Sequence, residues 1–190
     1  MYVGRAVLVG RDNKNKPFLI YILASRSFKN REIVKYGNAA YVVCKNNIES
    51  PYLTYCCFRC NEDIAVAGNG SHVEIIFDNL LENENVVNVI ANTLATFGYE
   101  KDHLKTPRIV GVVFKNKLYF GVVRHDLVFA KKFDPESGEA FLLSTYGFKE
   151  KIEENVVYFD VSDVREGINK LGLEEIISYL VFCGGRIEIY

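Results

Sequence analysis

Four short polar stretches interrupt an otherwise apolar sequence, and each carries side chains able to hold an anion or move a proton. SRSFKNR, Ser25 to Arg31, follows directly on the apolar run FLIYILA. The planar forks of Arg26 and Arg31 match a phosphate or a carboxylate, Ser27 adds a neutral donor, and Phe28 can shield the site or anchor the loop. Taken alone, the stretch also reads as a solvated cationic loop. In PYLTYCCFR, strand alternation sets Leu53, Tyr55, Cys57 and Arg59 on one face. Tyr55 beside Arg59 is then a phenol next to a cation, which favours its ionised form and makes it a candidate acid or base. The plainer alternative is a core tyrosine with a satisfied hydroxyl and an arginine at the sheet rim.

AGNGSHVE reads first as a hairpin turn, because Asn69-Gly70 is a strong signal for that connection. Successive amides in such a turn can also form an anion-binding nest, with Ser71 and His72 adding side-chain donors. YEKDHLKTPRI, with Glu100, Lys101, Asp102, Lys105, Thr106 and Arg108, is a charged loop after a predicted helix. Glu100 stands just beyond that helix's C-terminus, where the dipole disfavours a carboxylate and, with partial burial, would raise its pKa toward neutrality.

The elements that must position these groups are mostly strands. RAVLVG, turn residues RDNKNKP and FLIYILAS read as a hairpin, and KNK at 115–117 joins two further strands, so the pairing should be largely antiparallel. Other strand candidates are AAYVVCK, YLTYCCFR, IAVAG, HVEIIF, RIVGVVF, LYFGVV, LVFAKKF, AFLLSTY, NVVYFDV and RIEIY. Helical period appears in NVVNVIANTLATFG, where Val86, Ile90, Leu94 and Phe97 share a face, Asn85 can cap the start and Gly98 suits the end. It appears again in SDVREGINKLGLEEIISYLVFCGG, with Ser162 as cap and a break at Gly172. Many strands and a few amphipathic helices predict a single α+β domain over 1–190, two sheets face to face with helices outside.

Composition narrows the function. With 23 basic against 24 acidic residues the net charge is −1, so no global field gathers nucleic acid or anionic membrane, and any anion is held locally. No apolar run reaches the ~18 residues of a membrane span, and the start MYVGRAVLVG is not built like a signal peptide, so a cytoplasmic protein is expected. Cys44, Cys56, Cys57, Cys60 and Cys183 make an odd number, which argues for reduced thiols. A metal site on Cys57 and Cys60 is not expected, because residues three apart on a strand face opposite ways and no second ligand pair completes four.

Together MYVGR, SRSFKNR, PYLTYCCFR, NGSHVE and YEKDHLKTPRI resemble, in order and spacing, the archaeal type of inosine monophosphate (IMP) cyclohydrolase. The likeness is dense to about residue 110 and continues in fragments such as LLSTY and GGRIEIY; Lys29 stands where the family usually carries proline. The resemblance implies a four-layer αββα sandwich of two antiparallel sheets, like the N-terminal nucleophile hydrolases. It implies closure of 5-formamidoimidazole-4-carboxamide ribonucleotide (FAICAR) to IMP with loss of water, the last step of purine synthesis, with neither metal nor organic cofactor. It places catalysis on Arg31, Tyr55 and Glu100. Nucleotide contacts fall on Arg26, Ser27, Arg59, Asn69, Gly70, Ser71, Lys101, Thr106 and Arg108. The partner is thus a small nucleotide, with no nucleic acid and no membrane, and an open sheet edge leaves room for a homo-oligomer.

Two rival functions fit parts of the pattern. An N-terminal nucleophile amidohydrolase would need Ser, Thr or Cys first, whereas Met1 is followed by Tyr2. A non-catalytic nucleotide- or RNA-binding module would use the cations and tyrosines as a platform, but the sequence shows no basic stripe.

Overall fold

The computed structural model describes residues 1–45, 54–147 and 152–190. Alternating apolar residues build two antiparallel sheets. The first contains β1 (Arg5–Arg11), β2 (Pro17–Ala24), β10 (Glu139–Ser144), β11 (Val156–Tyr158), β12 (Ile176–Cys183) and β13 (Arg186–Ile189), in the order β11-β10-β1-β2-β12-β13. The second runs in sequence order through β3 (Arg31–Tyr36), β4 (Ala39–Cys44), β5 (Tyr55–Cys60), β6 (Ile64–Gly68), β7 (Arg108–Phe114), β8 (Lys117–Val123) and β9 (Val128–Phe133).

The inner faces of the sheets meet in one core that includes Val7, Leu19, Tyr21, Tyr55, Ile109, Phe120 and Phe141. Phe120 and Phe141 stack across the gap with ring centroids 3.7 Å apart. Gly111 on β7 permits this approach, because a Cβ there would lie 2.6 Å from Val7 Cγ1 and 2.8 Å from Leu19 Cδ1. On its outer face the second sheet carries α1 (His72–Glu82) and α2 (Val86–Phe97), which bury Val73, Ile76, Leu80, Ile90 and Leu94 against Val66, Val110 and Val112. On the outer face of the first lies the short α3 (Val164–Lys170), with Ile168 packed near Phe159 and Phe18. The layers are therefore helix, sheet, sheet, helix, an α+β sandwich.

Both expected hairpins form: Arg11 pairs with Pro17, and Phe114 with Lys117. Helix α2 has the expected ends, for Asn85 accepts from the Asn88 amide and the Gly98 N–H donates to Leu94 O at φ +63°. Three expectations fail. HVEIIF is helical, because a Val73, Ile76, Phe77, Leu80 stripe continues beyond the six residues in which strand alternation was read. NGSH is accordingly a strand-to-helix junction and not a hairpin. The helical reading of 162–185 holds only for α3. Asp163 caps it by accepting from the Glu166 amide, Ser162 lies in the preceding turn, and beyond Gly172 the β-branched run IISYLVFC is strand β12, paired with β2. Finally, Glu32 to Tyr36 form most of β3, a strand that its polar content conceals.

Candidate active site

At one end of the inter-sheet gap, β1, β3, β5 and β7 begin and β2 and β6 end, bringing distant polar side chains together. Glu100 lies two residues past Gly98 and is 3 % exposed. Its carboxylate accepts from Arg5 Nη2 at 3.0 Å on each oxygen, and Oε1 also accepts from Asn69 Nδ2 at 3.1 Å. Asn69 is fixed from behind: Nδ2 also donates to Pro107 O at 2.8 Å, and Oδ1 accepts the Ile109 amide at 2.7 Å. Burial pushes the Glu100 pKa up, against the pull of Arg5 and Arg108, so the net direction is above the ordinary carboxylate range. Burial, which the sequence expectation coupled to the helix end, is the largest cause. Burial also works against the Arg5 charge, but Tyr55, Glu100, Tyr21 and Tyr146 outweigh it and the guanidinium stays protonated.

The Tyr55 hydroxyl lies 2.7 Å from that of Tyr21 on the facing sheet, in a buried contact. Arg59 is not its neighbour. A β-bulge opposite Ala40 and Tyr41 adds one residue to β5, so Cys57 and Phe58 both face the inner core and Arg59 turns outward to α1. There it pairs with Asp78 at 2.9 Å and covers the Phe77 ring at 4.4 Å. The bulge also returns Cys60 to the same core as Cys57, correcting the expectation that they face opposite ways. Among the described residues, no group of three or more His, Cys, Asp or Glu is placed to hold a metal. The cations beside Tyr55 are instead Arg5 and Arg31. Burial nevertheless wins, and the Tyr55 pKa lies above the usual phenol value, so near neutrality it is a proton donor and not a phenolate.

Arg31 opens β3 on its inner face, two residues before Ile33, and is 2 % exposed. Its Nε donates to Phe28 O at 3.3 Å, while its buried Nη1 has no acceptor among the described residues. Among the described residues it is therefore a donor still to be satisfied. Thr106 is fully buried, donating through Oγ1 to Asp102 at 2.6 Å and lying 3.0 Å from Tyr146 Oη. Arg108 lies over Gly70, where a Cβ would come within 2.4 Å of Nη1. A larger residue there would displace the guanidinium from this position.

Arg26, Ser27, Lys101 and Ser71 are exposed at the rim. Arg26 covers the Tyr2 ring at 4.3 Å and pairs with Glu174 at 3.6 Å, and Lys29 pairs with Glu175 at 3.0 Å. Leu53, expected on the Tyr55 face, lies outside the described residues. A separate cavity of about 460 Å³ opens at the opposite end, beside Lys16, Asn38, Cys60 and Phe182, and none of the candidate residues lines it.

Sequence reasoning missed Arg5 and Tyr21. MYVGR contains Arg5 but assigns it no role, and Tyr21 sits in an apolar run where it reads as core. What distinguishes both is contact with residues 95 and 34 positions away.

Comparison with known proteins identifies the family. Residues 2–183 match the family model described as "IMP cyclohydrolase-like protein". The chain is 37% identical over 149 residues to a protein of Methanothrix thermoacetophila named IMP cyclohydrolase, covering 77% of this chain and 74% of that one. Proteins of the same name from Methanocaldococcus jannaschii (35% over 161 residues, 83% and 78%) and Thermococcus kodakarensis (37% over 150 residues, 78% and 75%) are also similar.

Proposed function

The chain belongs to the IMP cyclohydrolase-like protein family, and on that premise we propose that it closes FAICAR to IMP with loss of water, the final step of purine synthesis. The observation that carries this reading is a buried, clamped carboxylate at the same end of the gap as a protonated phenol and an unspent guanidinium donor. The carboxamide nitrogen is a poor nucleophile and the formyl carbon a weak electrophile, so closure needs alignment, oxyanion stabilisation and proton transfers both on attack and on loss of water.

Proton transfers balance over two steps. As the carboxamide nitrogen bonds to the formyl carbon, Tyr55 gives its proton to the formyl oxygen and Glu100 takes one from the nitrogen. As the hydroxyl then leaves, Glu100 returns its proton to form water, and Tyr55 recovers one from the nitrogen that carried the formyl group. Arg31 Nη1 supports the partial negative charge that develops on the formyl oxygen as the C–N bond forms and before its proton has arrived. Because the attack is intramolecular, no covalent nucleophile takes part.

Nucleotide recognition falls to Asn69, Gly70, Ser71, Thr106 and Arg108 around the β6–α1 junction, and to Arg26, Ser27 and Lys101 at the rim. A 5′-phosphate suits Arg108 and the turn amides beside it. Kinship with the N-terminal nucleophile hydrolases is part of the proposal, supported by two facing antiparallel sheets with helices on both outer faces. So is a cytoplasmic location, consistent with the lack, among the described residues, of any helix long and apolar enough to cross a membrane.

The test is to add purified protein to FAICAR and follow the purine absorbance. Acceleration that Tyr55→Phe abolishes while the fold persists supports the reading. A rate equal to the uncatalysed one, or full activity in Tyr55→Phe, refutes the reading or that residue's role respectively.

A further inference from the structure

Tyr21 lies in the middle of β2 with its side chain fully buried between the sheets. Its hydroxyl sits 2.7 Å from Tyr55 Oη, and neither hydroxyl has another hydrogen-bond partner among the described residues. A phenol has one proton to donate, so within the pair one hydroxyl donates and the other's proton points elsewhere. The surroundings decide which. The charges that act most on Tyr55 are the guanidinium groups of Arg5 from β1 and Arg31 from β3, followed by its hydrogen bond to Tyr21 of β2 and by Cys57 of its own strand. Tyr21 faces Tyr55, Cys57 and Arg5, and burial raises its pKa well above the ordinary phenol value. Negative charge is therefore better tolerated on Tyr55, which makes its oxygen the acceptor.

We infer that Tyr21 is a positioning residue for ring closure, donating its hydroxyl proton to Tyr55 and so directing the Tyr55 O–H out of the pair, toward the reacting formyl oxygen. The inference rests on the proposed cyclohydrolase reading. When Tyr55 passes its proton to that oxygen, the O–H bond of Tyr55 breaks, a new O–H bond forms on the substrate, and the electron pair stays on Tyr55. The Tyr21 hydroxyl then supports the transient phenolate from inside the core, with Arg5 and Arg31 on the other sides. A hydrogen bond to an ionised acceptor is stronger than one to a neutral group, so this contact favours the transition state over the ground state. No water need enter the apolar gap.

The test is Tyr21→Phe in the full chain, which removes one oxygen and keeps the ring that packs the core. Expected results are a kcat lower by ~10-fold or more with KM within about twofold of wild type, and an alkaline limb of the pH–kcat profile displaced upward, because Tyr55 loses a donor that favours its ionised form. An unchanged kcat, or a lower kcat with the alkaline limb unmoved, overturns the inference. Tyr55→Phe run in parallel separates the two levels: if it keeps full activity the catalytic reading of Tyr55 fails, and if it alone loses activity only the role of Tyr21 fails. Should Tyr21→Phe not fold, ultraviolet titration of wild type against Tyr55→Phe gives the answer. Loss of the lower-pH member of the buried phenolate pair in Tyr55→Phe supports the donor assignment, and loss of the higher member overturns it.

Discussion

Replacing Arg5 by Gln removes the cation that contacts both oxygens of Glu100 and leaves the backbone bonds of β1 in place, including the Arg5 amide to Thr145 Oγ1 at 3.1 Å. The ion pair is nearly dry, with side chains 12% and 4% exposed. At an effective dielectric constant of ~20, two charges ~4 Å apart attract by about 4 kcal/mol, and removing one partner of such a buried pair costs about 3 to 5 kcal/mol. Asn69 remains on Oε1 and Glu100 can take up a proton, so the lower end applies, about 3 kcal/mol where Glu100 is ionised. Burial already raises the Glu100 pKa and Arg5 opposes it, so the variant holds the proton to higher pH. A folded-state pKa raised above the unfolded one gives stability that is full below the unfolded value and lost as pH rises through the folded value. Denaturant midpoints should therefore show a mild penalty in acid and the full loss above neutrality. If ionised Glu100 accepts the amide proton, the acid limb of kcat/KM also moves upward, measured by purine formation across pH. A pH-independent stability loss together with an unmoved acid limb would refute the assignment of Glu100 as a clamped base.

Other substitutions probe separate parts of the structure. His72 is buried, bonded to Ile109 O at 3.0 Å, and pushed down to about 3 chiefly by burial. Stability present above the unfolded histidine value is thus lost as pH falls from ~6.5, at up to ~1.4 kcal/mol per pH unit, and His72→Gln should flatten that slope relative to wild type. Gly111→Ala forces a methyl between Val7 and Leu19 and should cost ~1 to 3 kcal/mol in urea unfolding without changing the pH profile of any remaining activity. Arg59→Ala should lower stability by ~1 kcal/mol through loss of Asp78 and the Phe77 ring, while KM for the nucleotide stays as in wild type; a raised KM would return Arg59 to the site.

Local signals carried much of the fold. Asn85 and Gly98 mark the ends of α2 because capping needs only nearby residues, and both hairpins declare themselves in their turn residues. The residues misread are those whose state is set from a distance. Arg59 turns away from Tyr55 because β5 carries an extra residue against β4, a register shift that alternation within one strand cannot reveal. His72 to Phe77 look like a strand over six residues and become a helix only with Leu80 and the sheet beneath. The candidate site shows the same division. Glu100, Asn69 and Arg31 stand in polar stretches that attract notice, whereas Tyr21 and Arg5 acquire meaning only when the two sheets face each other.

The most direct measurement of the central claim is the turnover of FAICAR by purified wild-type protein and by Glu100→Gln, followed as purine absorbance, with circular dichroism confirming that both are folded. The account predicts rapid formation of IMP by wild type and loss of most of that rate in the variant. No acceleration by wild type over the uncatalysed reaction, or an undiminished rate in Glu100→Gln, would contradict it.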